Sequence, residues 1–272
     1  MKLAHSYVDK LLKSEVISYG ESIALKKIKD NRKLITICIN KDINRILTLR
    51  EFLNKEECYD KCKELEEMCF DLCRLQCGMI TTNYDNVLAG VHNSARPEFS
   101  SKKPFVVNRE TSFQSFLEDP KNKVFHLHGH IDDEGTILTT SEYMKFYKTD
   151  GPGRAYLSDL FSSKTILFIG FGIEEFEIME HVHVFSRPGK RKHYALFSYL
   201  EGDPDSYLLK EYKEYYKKCF GIEIIEYNIS KTGYDLMAKI LNVWANKIEG
   251  EKTKKTADDD EKILQLFEKG VV

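Results

Sequence analysis

No hydrophobic run in this sequence approaches the ~18 residues of a membrane-spanning helix. The longest, Thr165 to Ile173, fits a buried strand. An excess of one charge is lacking too: 41 basic residues face 43 acidic ones, a formal net charge of -2. That balance offers no basic field to nucleic acid or an anionic membrane, so neither is expected as a partner. Met1 to Lys13 is too polar for a secretory signal. A disulfide framework is excluded as well. The seven cysteines are odd in number, and five crowd between Cys58 and Cys77. A reducing, cytoplasmic compartment is the expectation that follows. No internal repeat is visible.

What is present suits a soluble globular protein. The 272 residues can bury one large domain, or one domain with a subdomain. At about 3.6 residues per turn, Cys58, Cys62, Cys69, Cys73 and Cys77 share one helical sector with Leu65. They read as small core hydrophobes. A metal or redox site is the alternative, but the spacing lacks the C-x2-C knuckle of zinc sites and no histidine lies near.

Residues 1–33 read as helical and charged. Leu34 to Ile39 is a β-branched run and predicts a strand. A helical region from about Asn40 to Cys77 follows, with Gly78 as its C-cap candidate. Met79 to Thr82 reads as a strand. His92 to Pro120 has little periodicity and suggests loops with a short helix. Val124 to His128 is a strand, Thr136 to Thr139 an extended piece, and Ser141 a cap for a helix through Tyr147. A helix from about Arg154 to Phe161 precedes a regular alternation. Strands at Thr165–Phe171, His193–Phe197 and Ile222–Tyr227 are followed by helices at Glu174–Val184, Asp205–Cys219 and Tyr234–Lys247. Such alternation argues for parallel βαβ units. Residues 249–262 are almost wholly charged or small and read as a solvated linker.

Three polar clusters stand at or just after strand ends, where open parallel sheets bind ligands. In the first, Thr81-Thr82-Asn83-Tyr84-Asp85, the Asn83 carboxamide can orient a water or a sugar hydroxyl, and the Asp85 carboxylate can accept from ribose. An Asx-turn satisfying its own backbone is the plainer alternative. In the second, Phe125-His126-Leu127-His128-Gly129-His130, alternation puts His126 and His128 on one face. Gly129 allows a sharp turn. A strand-end histidine beside a glycine is placed to act as a general base near neutral pH, or is simply a hydrogen-bonded core residue. His126, His128 and His130 with Asp132 and Asp133 could alternatively chelate zinc, with His181 and His183 as further ligands. The third, Gly170-Phe171-Gly172, turns into a helix. Its first-turn Glu174, Glu175 and Glu177 would repel a phosphate, which favours a sugar or adenine contact.

Together these segments resemble the sirtuin-like family, and more specifically its divergent bacterial, defence-associated branch. There a TxN-x-D strand end, an HG strand end and a G-[FTY]-S strand end line one NAD pocket. They are matched in order here by Thr81 to Asp85, His128-Gly129 and Gly170 to Gly172. Lys192 to Leu196 and Gly221 to Ile225 resemble the family's last strands. The resemblance implies an α/β fold: a Rossmann-like, mostly parallel sheet with helices on both faces, plus helical and irregular insertions. It implies NAD as substrate and cleavage of the nicotinamide–ribose bond. His128 would be the base acting on a ribose hydroxyl, and Asn83 would hold the nicotinamide ribose or the attacking water. Thr82, Asp85, Gly129, Gly170, Phe171 and Gly172 would complete the dinucleotide pocket. Water as acceptor gives an NAD glycohydrolase of antiphage type. An acyl-lysine acceptor gives a deacylase.

Two departures qualify that picture. Gly172 stands where the family expects a small polar residue. No Gly-Ala-Gly-x-Ser loop precedes Asn83, for the first 78 residues hold only Gly20 and Gly78. The first strand and its diphosphate loop are therefore expected to be lost or to lie outside the chain. The organisation expected is an N-terminally incomplete sirtuin-like domain over 1–248 and a charged linker and tail over 249–272. The absent loop also motivates a non-catalytic nucleotide-binding module as the rival reading. An ADP-ribose-type nucleotide, an effector or sensor protein and a second copy of the chain are the candidate partners.

Overall fold

The computed structural model describes residues 2–42, 63–85, 88, 105–106, 110–121, 123–130, 136–148, 151–170, 176–185 and 192–250. In chain order the elements begin with α1 (Lys2–Lys13), α2 (Tyr19–Lys26), α3 (Asn31–Lys41) and α4 (Lys63–Arg74). Next come β1 (Met79–Thr81), β2 (Phe105–Val106), α5 (Glu110–Glu118), β3 (Val124–His126), α6 (Thr140–Tyr147) and α7 (Pro152–Ser163). The last are β4 (Leu167–Phe168), α8 (Phe176–Phe185), β5 (His193–Tyr199), α9 (Leu209–Phe220), β6 (Ile222–Asn228) and α10 (Asp235–Gly250). The class is α/β with parallel strands and flanking helices, as the alternation predicts. No described helix is long and apolar enough to cross a membrane.

The chain divides into two compact units. The first comprises Met1–Cys62 and Gly78–Arg154, the second Lys63–Cys77 and Ala155–Val272. Each unit carries a three-stranded parallel sheet, ordered β1-β3-β2 in the first and β4-β5-β6 in the second.

In the first unit β3 is central and wholly buried. Its Phe125 packs edge-on to Phe113 of α5 and against Phe116. Gly78 enters this sheet where a Cβ would stand 2.6 Å from the Pro120 Cβ. It is a close-approach glycine and not the expected C-cap. The left-handed residue beyond α4 is Gln76, at φ 56. Helices α1 to α3 form a second core around Tyr7, Val8, Leu11, Leu34 and Cys38, against which Tyr84 and Leu138 pack.

Leu34 to Ile39 is helical and not a strand, because local and tertiary signals agree against its β-branched propensity. Asp30 caps α3 by accepting from the Lys33 N–H at 3.0 Å. Helical spacing then puts Leu34 and Cys38 on one buried face. The helix stops at Lys41, with Asp42 extended. Of the helical region expected from Asn40 to Cys77, residues 43–62 lie outside the described residues. Cys58 and Cys62 lie there too, while Cys69 and Cys73 are buried on α4 as expected and Cys77 is exposed. Strand β2 went unread because two residues carry no periodicity. Helix α6 is capped by Thr139 and not Ser141. The Thr139 hydroxyl accepts from the Glu142 N–H, and the Glu142 carboxylate returns to the Thr139 N–H at 2.7 Å.

In the second unit β5 and β6 pair along seven residues, from His193 with Ile222 to Tyr199 with Asn228. Gly221, at φ 67, caps α9 and leads directly into β6. Leu196, Tyr227, Ile240 and Leu241 form the core between this sheet and α10. Arg74 of α4 binds Asp71 on its own helix and Glu249 and Asn246 on α10. Asn242 also donates to Asp71. Residues 251–272, including most of the expected linker, lie outside the described residues.

Candidate active site

Strands β1 and β3 run parallel with Thr81 beside His126, so the first two polar clusters emerge side by side at carboxyl ends. The Thr81 hydroxyl accepts from the Asn83 N–H at 3.1 Å. This turn is built by a threonine hydroxyl, which leaves the Asn83 side chain out of the local bonding. His126 completes the support. Its Nδ1 lies 3.1 Å from the Asn83 carbonyl, and since a carbonyl only accepts, Nδ1 carries the proton. The Asn83 carboxamide is exposed and makes no hydrogen bond among the described residues. It is presented on a backbone held by Thr81 and His126. Thr82 and Asp85 are half-buried on either side of this turn.

β3 ends at His126, and the chain turns at once. Gly129 N–H donates to the His126 carbonyl at 3.1 Å, with Gly129 at φ 82. That angle lies in the left-handed region, which explains why glycine occupies the position. The turn puts His128 inside, at 1 % exposure. Alternation along a strand therefore does not describe His126 and His128. Both are buried, along with every residue from Lys123 to His130.

The surroundings of His128 are aromatic. The Tyr147 hydroxyl is hydrogen-bonded to its Nε2 at 2.6 Å, and the Tyr143 hydroxyl to its Nδ1 at 3.1 Å. Tyr143 also meets the Tyr84 hydroxyl at 3.3 Å, and Tyr84 donates to the Ile137 carbonyl at 2.7 Å. Tyr143 and Tyr147 lie four residues apart, on one face of α6. Helix α3 holds that helix in place. The Thr140 N–H donates to the Thr36 hydroxyl at 2.9 Å, and the Arg32 guanidinium lies 4.0 Å from the centroid of the Tyr143 ring. None of these tyrosines was singled out from the sequence as an active-site residue. The usable signal was the capping box Thr139-x-x-Glu142, followed by aromatics at helical spacing.

The third cluster lies in the second unit. Gly170 follows β4 at φ 62, and no atom of the described residues lies within 4 Å of where a Cβ would be. Phe171 and Gly172 lie outside the described residues, as do Glu174 and Glu175. Among the described residues no three histidine, cysteine or acidic side chains stand together as a metal site. Asp132 and Asp133 are outside those residues. His181 stacks on Phe185, and His183 donates to the Cys219 carbonyl at 2.6 Å, both in the second unit.

The class defined so far is an α/β protein with polar groups at the carboxyl ends of paired parallel strands. A family profile described as SIR2-like domain matches residues 78–225, more than half of the chain, and the chain belongs to that family. It is also similar to a protein named NAD(+) hydrolase ThsA from Cytobacillus dafuensis, with 27% identity over 135 residues. The match covers 48% of this chain and 26% of that protein, so the chain spans about a quarter of this relative's length.

Proposed function

We propose that this SIR2-like chain is an NAD glycohydrolase acting in antiphage defence. The observation that carries the reading is the Asn83–His128 arrangement. Both residues follow paired strands in one unit, and the Asn83 carboxamide is unspent while its backbone is fixed by Thr81 and His126. In this reading His128 takes a proton from a ribose hydroxyl of NAD, and Asn83 orients the ribose or the water. The bond from the anomeric carbon to the nicotinamide nitrogen breaks, and its electron pair neutralises the pyridinium. Water oxygen bonds to the carbon and releases a proton, and His128 returns its own proton to the ribose oxygen, giving nicotinamide and ADP-ribose. Thr82, Asp85 and Gly129, in the same unit, would serve the dinucleotide.

The test is nicotinamide release by the purified chain. His128→Ala and Asn83→Ala are expected to abolish it with the far-ultraviolet spectrum unchanged. Full turnover in both variants refutes these roles. One observation favours the rival reading, a nucleotide-binding module without catalysis: His128 is buried with tyrosine hydroxyls on both ring nitrogens. Calorimetric binding of ADP-ribose or NAD without nicotinamide release would select it.

A further inference from the structure

The hydroxyls around His128 form a chain with a direction. Each phenol has one proton to give. That of Tyr84 goes to the Ile137 carbonyl. The contact between Tyr84 and Tyr143 at 3.3 Å must therefore take its hydrogen from Tyr143. With its proton committed there, Tyr143 can only accept from His128, and Nδ1 must be the donor. Nε2 is then the lone-pair nitrogen and receives the Tyr147 O–H. The opposite tautomer would turn Tyr143 toward Nδ1. The half-buried phenol oxygens of Tyr84 and Tyr143 would then face each other at 3.3 Å with no hydrogen between them, an arrangement that forfeits one bond of the chain.

The chain closes on itself. The Ile137 N–H donates to the His128 carbonyl at 2.8 Å, and the Ile137 carbonyl receives Tyr84. Backbone and side chain of His128 are thus tied to the same short segment. The ring of Tyr143 is fixed further by its edge-on contact with the imidazole, at 4.9 Å between centroids, and by Arg32 on its face.

We propose that Tyr143 and Tyr84 are positioning residues that set the tautomer of His128, with the proton on Nδ1 and Nε2 as the basic atom. The tautomer stands on the hydrogen-bond geometry alone. Its use in catalysis rests on the NAD-cleaving reading above. Tyr143 acts directly on the imidazole, and Tyr84 acts through Tyr143.

The experiment is long-range proton–nitrogen correlation on protein labelled with nitrogen-15 histidine, at a pH where the ring is neutral. Signals are assigned by their loss in His128→Gln. In the wild type His128 is expected to show a protonated Nδ1 and a bare Nε2, and the reverse pattern overturns the proposal. Tyr84→Phe keeps the ring and removes the acceptor for the Tyr143 proton. It is expected to shift His128 toward the other tautomer, as is Tyr143→Phe. An unchanged tautomer in both variants overturns the positioning role. Steady-state nicotinamide release supplies the second readout. Tyr143→Phe is expected to lower kcat at least about tenfold with the KM for NAD nearly unchanged. An equal loss in KM and none in kcat overturns it. A wild type that releases no nicotinamide refutes the glycohydrolase reading and leaves the tautomer to be decided by the spectra.

Discussion

Tyr147→Phe is the most informative single change at this site. Its hydroxyl is 2.6 Å from His128 Nε2, the atom that would take the substrate's proton in the proposed reaction. A ribose hydroxyl can reach that atom only if the phenol gives way. The substitution keeps the buried ring and deletes one neutral hydrogen bond, with a net value of about 0.5–1.5 kcal/mol. If that bond competes with substrate, its loss raises kcat/KM for NAD roughly 2- to 12-fold. The same deletion leaves Nε2 without the phenol in the free protein, at a cost of about 1–3 kcal/mol in stability. The variant is therefore expected to be faster and less stable together, with added NAD recovering part of the lost melting temperature. Initial-rate nicotinamide release and thermal melts with and without NAD measure both. A fall in kcat/KM comparable to that of His128→Ala refutes the competition, and would make Tyr147 a participant in proton transfer.

Other expectations follow from the supporting structure. The Lys41 ammonium, with Ser18, holds the Glu21 carboxyl down at about 2, so its contribution is complete above the ordinary value of 4.5 and fades as pH falls toward 2. Glu21→Gln is expected to remove that part of the acid dependence of melting, and an unchanged slope refutes it. Gly78→Ala pushes a methyl into Pro120 and should cost about 1–3 kcal/mol by denaturant titration, where wild-type stability would show that the strand entry can shift. Arg74→Met strips the charge partner from Asp71 and should cost about 1.5–3 kcal/mol, against no change if water substitutes fully. Burial pushes the Cys38 thiol up to about 11, so native protein should resist iodoacetamide at Cys38 near neutral pH until denaturant is added.

The sequence declared strongly wherever local pattern and tertiary environment agree. β5, β6, α9 and α10 are long enough to show their periods, and their expected limits fall within a few residues of those observed. The positions of Asn83 and His128 just beyond β1 and β3 were legible because polar residues directly after apolar runs are conspicuous. Leu34 to Ile39 was misread because β-branched propensity is weak beside a cap at Asp30 and a helix-spaced buried face. The tyrosines could not have been found from composition. Their role depends on β1, the segment at Ile137 and α6 meeting, and no local pattern encodes that meeting.

The tie between α3 and α6 bears on what counts as a unit of inheritance. The stretch that matches the family runs from 78 to 225, yet the helix facing His128 is buttressed by Thr36 and Arg32, well upstream of it. Downstream, Ile240 and Leu241 of α10 cover the sheet that the match leaves half-clad. A fragment trimmed to the recognisable region would keep the motif letters and discard the scaffolding that orients them. Two proteins could thus share every motif residue and still differ in competence, through helices that alignment of the motifs alone would never compare.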